Sequence, residues 1–309
     1  MRNSKIRGNK GSLETMDCLI CKFNNYLEFE RGLSGSTRNS YCNDIRIFLS
    51  TEFKNKSIQI KKFALKDILR FILSYSQTGK TSRAKQMIYS LRSFFRFLKL
   101  TDLTDGLPSV ASHKRNPPEY LSFEQLLKLL KSCDKRTKTG LRDYAILMLL
   151  IQLGLRRSEV SKLILSDFDW DNGEIVIRGK GSISRYPISQ ELGEALVNYL
   201  KKSRPPCSCD SFFIQSYQSR TAITAMAVSA IVCSALKRAG LSPHHKGAHL
   251  LRHSFATQLL KQGRSLQEIG LVLRHKDIRT TAIYAHVDFD NLRLFALPWP
   301  NLTKESRHE

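Results

Sequence analysis

No hydrophobic run in this 309-residue sequence is long enough to cross a bilayer: the most apolar stretch, Tyr144 to Leu155, falls well short of the roughly 20 residues a spanning helix needs. The basic start, Met1 to Lys10, is not followed by an unbroken apolar run, so neither a secretory leader nor an anchor is expected. Cysteine supplies no framework. The seven are an odd number and scattered, with close pairs only at Cys18/Cys21 and Cys207/Cys209, which argues for reduced thiols and against a secreted disulfide scaffold. The first pair falls in a helical apolar pattern and the second follows Pro205-Pro206 in a loop, so neither reads as a zinc site. No Asp/Glu/His cluster stands out, and the sequence carries no fixed-period repeat or low-complexity tract. A cytoplasmic protein with no metal, cofactor or membrane partner is the expectation.

Acidic residues are the scarce class of charge. Lys and Arg number 50 against 27 Asp and Glu, a formal charge of +23, and such an excess favours polyanions, nucleic acid first among them. Residues 1–102 hold 20 basic and 8 acidic side chains and the remainder 30 and 19, so both halves are expected to touch the ligand, as a clamp would. A generally basic protein with no nucleic-acid role carries the same excess, so motifs must decide.

The length suits about two domains with real cores. After a basic tail at 1–12, apolar residues recur at helical spacing over Leu13–Phe29, Ser36–Phe53, Leu65–Tyr75 and Ser82–Leu98, which predicts a helical bundle over 13–102. Its cations, among them Arg38, Arg46, Lys61, Lys62, Arg83, Lys85, Arg92 and Arg96, are able to track phosphates or simply to be solvated. Residues 103–120 carry Gly, Pro, Ser and a basic patch without either period, as a linker does. A second domain over 121–297 opens on a capping-box pattern, Ser122 to Gln125. Further helices are predicted at Leu141–Leu153, Ser158–Ile164, Gln190–Lys202, Ala222–Ala239, Ala248–Gln262 and Ser265–Leu273. Glu174–Arg178 and Ser184–Ile188 read as a strand pair turning through Gly179-Lys180-Gly181-Ser182. Pro298-Trp299-Pro300 ends any last helix, leaving 298–309 as a tail. The fold class is therefore mainly α with a small antiparallel β-sheet.

Four short stretches carry chemistry. In GLRRSEV, Arg156 stands at a loop-to-helix boundary, where a guanidinium and helix N-terminal amides both suit a phosphate. Lys180 sits at the hairpin tip between two glycines. In HLLRHSFATQLL, His249 and Arg252 are three apart and share a helical face, while His253 is read as structural and on a different face. In LRHKDIRTTAIYAHV, His275 precedes Tyr284 by nine residues, with Thr280-Thr281 as a cap between them and His286 as a neighbour.

The order and chemistry of Arg156, Lys180, His249, Arg252, His275 and Tyr284 resemble one family, the tyrosine recombinases (phage integrase family, including the XerC and XerD type). The first domain is similar to that family's helical core-binding, SAM-like domain: Thr37, Tyr41, Asp44 and Phe48 in GLSGSTRNSYCNDIRIFL stand where the family usually shows them, and SLRSFFRFL resembles its last helix. The resemblance spans roughly residues 14–290 and implies a tyrosine recombinase catalytic domain after the linker. Implied with it are cleavage and rejoining of double-stranded DNA through a 3′-phosphotyrosyl link on Tyr284, without metal, by a homotetramer or a heterotetramer with related recombinases. Arg156 and Arg252 would hold the non-bridging oxygens, His275 would donate a further hydrogen bond, Lys180 would protonate the departing 5′ oxygen, and His249 would assist proton transfer at the tyrosine. One position departs: the family usually has Gly where Arg274 precedes His275, and the extra cation either adds a phosphate contact or tilts the histidine. A type IB topoisomerase uses a similar tyrosine and cations, and a DNA-binding protein with a degenerate site is the alternative from another class.

Overall fold

The computed structural model describes residues 15–53, 63–78, 81–109, 118–179, 182–215, 218, 220–275 and 280–287. The chain divides into two compact units, residues 1–113 and 114–309.

In the first unit, α1 (Met16–Asn25) starts on Thr15, whose hydroxyl accepts the Cys18 amide, and continues as one π-turn over Tyr26–Glu30. It is followed by α2 (Gly35–Phe53), α3 (Leu65–Thr78), α4 (Thr81–Phe97) and a short α5 (Thr101–Asp105). The apolar stripes close on an aromatic core of Phe23, Phe48, Phe71, Phe94 and Phe95, with Phe48 edge-on to Phe71 and to Phe95. Each buried phenylalanine contributes about 1.5–3 kcal/mol, and the Ser90 hydroxyl on α4 ties to the Asp44 carboxylate on α2 at 2.7 Å. The stretch expected as a linker begins later than its composition suggests. Leu107 belongs to this core, and Arg92 donates to the carbonyls of Leu107 and Pro108 at 3.1 and 3.4 Å. Arg92 is therefore engaged within the unit, and Arg38 pairs with Glu28. Arg46, Arg83 and Arg96 are exposed, whereas Lys61 and Lys62 lie outside the described residues.

The second unit is built around α7 (Lys138–Leu153), whose run Ala145–Leu150 is buried on every side, as befits a helix that is apolar all round. Against this core pack α6 (Phe123–Lys131), α9 (Gln190–Lys202), α10 (Ala225–Arg238) and α11 (Ala248–Lys261). Both halves of the Ser122/Gln125 capping box form. A three-stranded antiparallel sheet, β1 (Phe168–Asp169), β2 (Glu174–Gly179) and β3 (Ser182–Pro187), runs in sequence order, with Ile175 opposite Tyr186 and Ile177 opposite Ser184. The alternation that predicts the hairpin buries Ile175 and Ile177 in the core. Strand β1 is too short to show a period.

The helix expected at Ser158–Ile164 is a single turn, α8 (Arg157–Val160). Ile164 instead adopts extended backbone and bridges Ser211, and the Leu163 carbonyl accepts the Phe212 amide at 2.7 Å. Long-range pairing overrides local helical spacing there. A satellite cluster completes the unit: α12 (Leu266–Val272), capped by Ser265 and Glu268, and a 3₁₀ segment, Ala282–Val287, pack on α11 through Ala256, Leu260, Ile269, Leu273 and Tyr284. No helix among the described residues is long and apolar enough to cross a membrane.

Candidate active site

The site is assembled on α11 by the loops that end α7 and α12. Gly154 closes α7 in the left-handed conformation, φ 57°, where a β-carbon would stand 2.5 Å from Phe255 Cδ1, so glycine is required on both counts. This turn points the Gly154 carbonyl at α11, where Arg252 Nη1 donates to it at 2.6 Å. The second arm of Arg252 donates to the Leu273 carbonyl at the end of α12. One guanidinium thereby ties together the two loops that carry Arg156 and His275. Arg252 is buried at 2% exposure. Burial, with the Arg156 cation beside it, pushes its pKa down to about 10, and it stays charged at neutral pH.

Arg156 opens α8, where its Nη1 donates to Glu159 Oε1 at 2.7 Å and its amide to Glu159 Oε2 at 2.8 Å. Its Nη2 donates to the Arg274 carbonyl at 3.3 Å. Burial works against the Glu159 carboxylate, but the Arg156 amide and the Arg274 and Arg156 cations outweigh it and hold the group below the usual range.

Tyr284 is buried, with its amide bonded to the Thr281 carbonyl at 3.0 Å. Burial pushes its phenol up to about 12, against the opposing pull of Arg252. The phenol oxygen lies 2.8 Å from His253 Nδ1. His253, read from the sequence as structural and on another face, is therefore the neighbour of the phenol. Helix geometry corrects that reading, since a residue four positions on lies about 40° around the axis and one three positions on about 60°. His253 shares the face of His249 at least as well as Arg252 does, and the His249 and His253 rings stand edge to face at 4.9 Å. The tyrosine contact expected of His249 is made by His253.

His275 follows the end of α12, its amide bonded to the Gly270 carbonyl and its Nδ1 2.7 Å from Thr281 Oγ1. Thr281 approaches because Gly270 has no side chain: a β-carbon there would stand 3.1 Å from the threonine hydroxyl. Arg156, His249, Arg252 and His275 form one electrostatic neighbourhood, since the two arginines depress the pKa of both histidines after burial itself. Lys180 and the side chain of His286 lie outside the described residues. Among the described residues no group of His, Cys, Asp and Glu is arranged as a metal site.

The histidines make stability depend on pH. Burial, then His249, pushes His253 to about 4 from an ordinary 6.5, and burial, then Arg252, does the same to His275. Between those values the unfolded chain binds more protons than the folded one, so stability is present above about 6.5 and is lost as pH falls toward 4. The thermal midpoint is expected to drop between pH 7 and pH 5, and less steeply in His253→Gln; a pH series of unfolding scans checks both slopes.

Residues 119–291 match the Phage integrase family, and residues 20–101 match the Phage integrase, N-terminal SAM-like domain. The chain is 36% identical over 285 residues to a putative integrase/recombinase, y4rA, of Sinorhizobium fredii, covering 90% of this chain and 70% of that protein. It is 33% identical over 291 residues to the tyrosine recombinase XerC of Oceanobacillus iheyensis, covering 91% and 95%. Its fold is similar to that of the XerH site-specific recombinase bound to a palindromic difH substrate in a post-cleavage complex, with a TM-score of 0.72 at 21% identity over 93% of this chain and 97% of that one. With both domains matched in order and a buried tyrosine that feels the Arg252 charge, the chain belongs to the phage integrase family of tyrosine recombinases.

Proposed function

We propose that the chain is a site-specific DNA recombinase whose Tyr284 Oη attacks a backbone phosphorus, expels the 5′ oxygen and forms a 3′-phosphotyrosyl link. That link keeps the energy of the phosphodiester for the reverse attack by a 5′ hydroxyl of another strand. The observation that carries the reading is the set of guanidiniums around one carboxylate, Arg156, Arg252 and Glu159, beside a tyrosine hydroxyl held by an imidazole. Forked donors suit the non-bridging oxygens and act most strongly when negative charge spreads over them in the transition state. His275 donates a further hydrogen bond, and Lys180 protonates the leaving oxygen.

Proton removal from Tyr284 falls to His253. Its imidazole is neutral at pH 7, with a pKa of about 4, and its Nδ1 already faces the phenol. His249, behind it on the same helix face, supports that ring and lines the anion site. Exchange of two duplexes needs four strand cleavages, so four active sites act together on double-stranded DNA, in a homotetramer or with related recombinases. The reaction belongs in the cytoplasm, where chromosomal and mobile-element DNA is accessible.

The test is covalent trapping. The full chain is incubated with fragmented host DNA, adducts are recovered under denaturing conditions, and the attached ends are sequenced. A recurrent cleavage sequence joined through a 3′ phosphate to Tyr284 is expected. Relaxation of supercoiled plasmid by the monomer without joined products would point to a topoisomerase instead, and no adduct on any fragment would leave a DNA-binding protein.

A further inference from the structure

Arg274 occupies left-handed backbone, φ 55°, a conformation unfavourable to any residue with a β-carbon. Its side chain is 3% exposed. Nη2 donates to Glu159 Oε2 at 2.9 Å, and the guanidinium carbon stands 5.0 Å from the centre of the Tyr186 ring. Among the described residues Nε and Nη1 are buried without a hydrogen-bond partner. A strained backbone and unsatisfied donors at one residue are costs that point to a role beyond packing.

The contacts form a closed circuit. Glu159 takes Arg156 and Arg274 together, and Arg156 Nη2 returns to the Arg274 carbonyl. Tyr186, beneath the Arg274 guanidinium, lies on β3 and donates its hydroxyl to the Val272 carbonyl at 2.9 Å. Strand β3 pairs with β2, and in the sequence Lys180 falls between the two strands. With the histidines neutral, Arg156, Arg252 and Arg274 against Glu159 leave an excess of two positive charges. A phosphodiester under attack by a phenolate carries two negative charges, so the balance suits the transition state better than the ground state.

We propose that Arg274 is a positioning residue for strand cleavage: it braces Glu159, and through it Arg156, and by stacking on Tyr186 it ties the β2–β3 hairpin to the same arginine. Buried beneath these groups, it acts through them and not on the phosphate directly. The proposal rests on the recombinase reading above.

Two measurements on the full chain test it, with Arg274→Gly and Arg274→Lys. Glycine accepts the left-handed backbone, so the fold is expected to survive its introduction. Without DNA, the Glu159 carboxyl followed by ¹³C NMR is expected to titrate at higher pH in Arg274→Gly than in the wild type. With a suicide duplex carrying the sequence recovered by trapping, single-turnover adduct formation is expected to fall about 10- to 100-fold, as for displaced catalytic groups generally. DNA affinity should stay within about twofold, because many other cations hold phosphates. Added guanidinium should restore part of the rate, and Arg274→Lys, which keeps the charge without the planar fork, should be intermediate. A wild-type cleavage rate and an unmoved Glu159 titration in Arg274→Gly would overturn the proposal, as would equal losses of affinity and rate, which mark a direct DNA contact. Failure of the wild type to form any adduct would sink the recombinase reading, while the Glu159 titration would still decide whether the brace exists.

Discussion

Tyr284→Phe is expected to abolish covalent adduct formation, a loss of about 10⁴-fold or more as when other enzymes lose their nucleophile, while DNA affinity stays near the wild-type value. The chain's +23 charge is distributed over both units, so phosphate contacts elsewhere sustain binding. The same change is expected to lower stability, because the phenol's removal leaves His253 Nδ1 without its 2.8 Å partner, and an unsatisfied buried polar atom costs about 1–3 kcal/mol. A suicide-duplex assay resolved on denaturing gels, run beside a mobility shift and an unfolding scan, separates the three effects. Adduct formed by Tyr284→Phe at any appreciable rate would show that another residue is the nucleophile.

Arg252→Ala is expected to be the most damaging change among the cations. Removing one preorganised donor from a site of developing negative charge costs about 10²–10³ in rate. Arg252 has a second burden, because its two arms hold the Gly154 and Leu273 carbonyls and so the loops bearing Arg156 and His275. Truncation leaves both carbonyls unpaired in a buried place, and the thermal midpoint should fall together with the cleavage rate. Arg156→Ala makes the control: its side chain is 35% exposed, so cleavage should drop with a smaller loss of stability. Single-turnover cleavage and calorimetry on both variants give the comparison. If Arg252→Ala keeps its thermal midpoint, the tethering role assigned to that side chain is wrong.

The sequence was most legible where chemistry is local. Apolar spacing marks the helices of the first unit, and alternation around Ile175 and Ile177 marks the hairpin, because each pattern reports a buried face directly. Ser122 and Gln125 announce a helix start by their own hydrogen bonds. Legibility failed where a distant partner decides. Residues Ser158–Ile164 have helical spacing, yet Ile164 leaves the helix to bridge Ser211. Composition marks the stretch after Asp102 as a connection, yet Leu107 completes the core of the first unit.

The same division runs through the candidate site. The order of Arg156, His249, Arg252, His275 and Tyr284, and the resemblance that order carries, were properties of the sequence alone, because they need only residue types and spacings. Which imidazole meets the phenol was decided by tertiary structure, since His253 and Tyr284 are 31 residues apart and meet only when the 3₁₀ segment docks on α11. So was the character of Arg274: in the sequence it is a departure from the usual Gly, a cation read as either a phosphate contact or a tilt on His275, and only the left-handed turn, the shared Glu159 and the Tyr186 ring bury it as a brace. Spacing determines what a helix face can present, and long-range packing determines what that face meets.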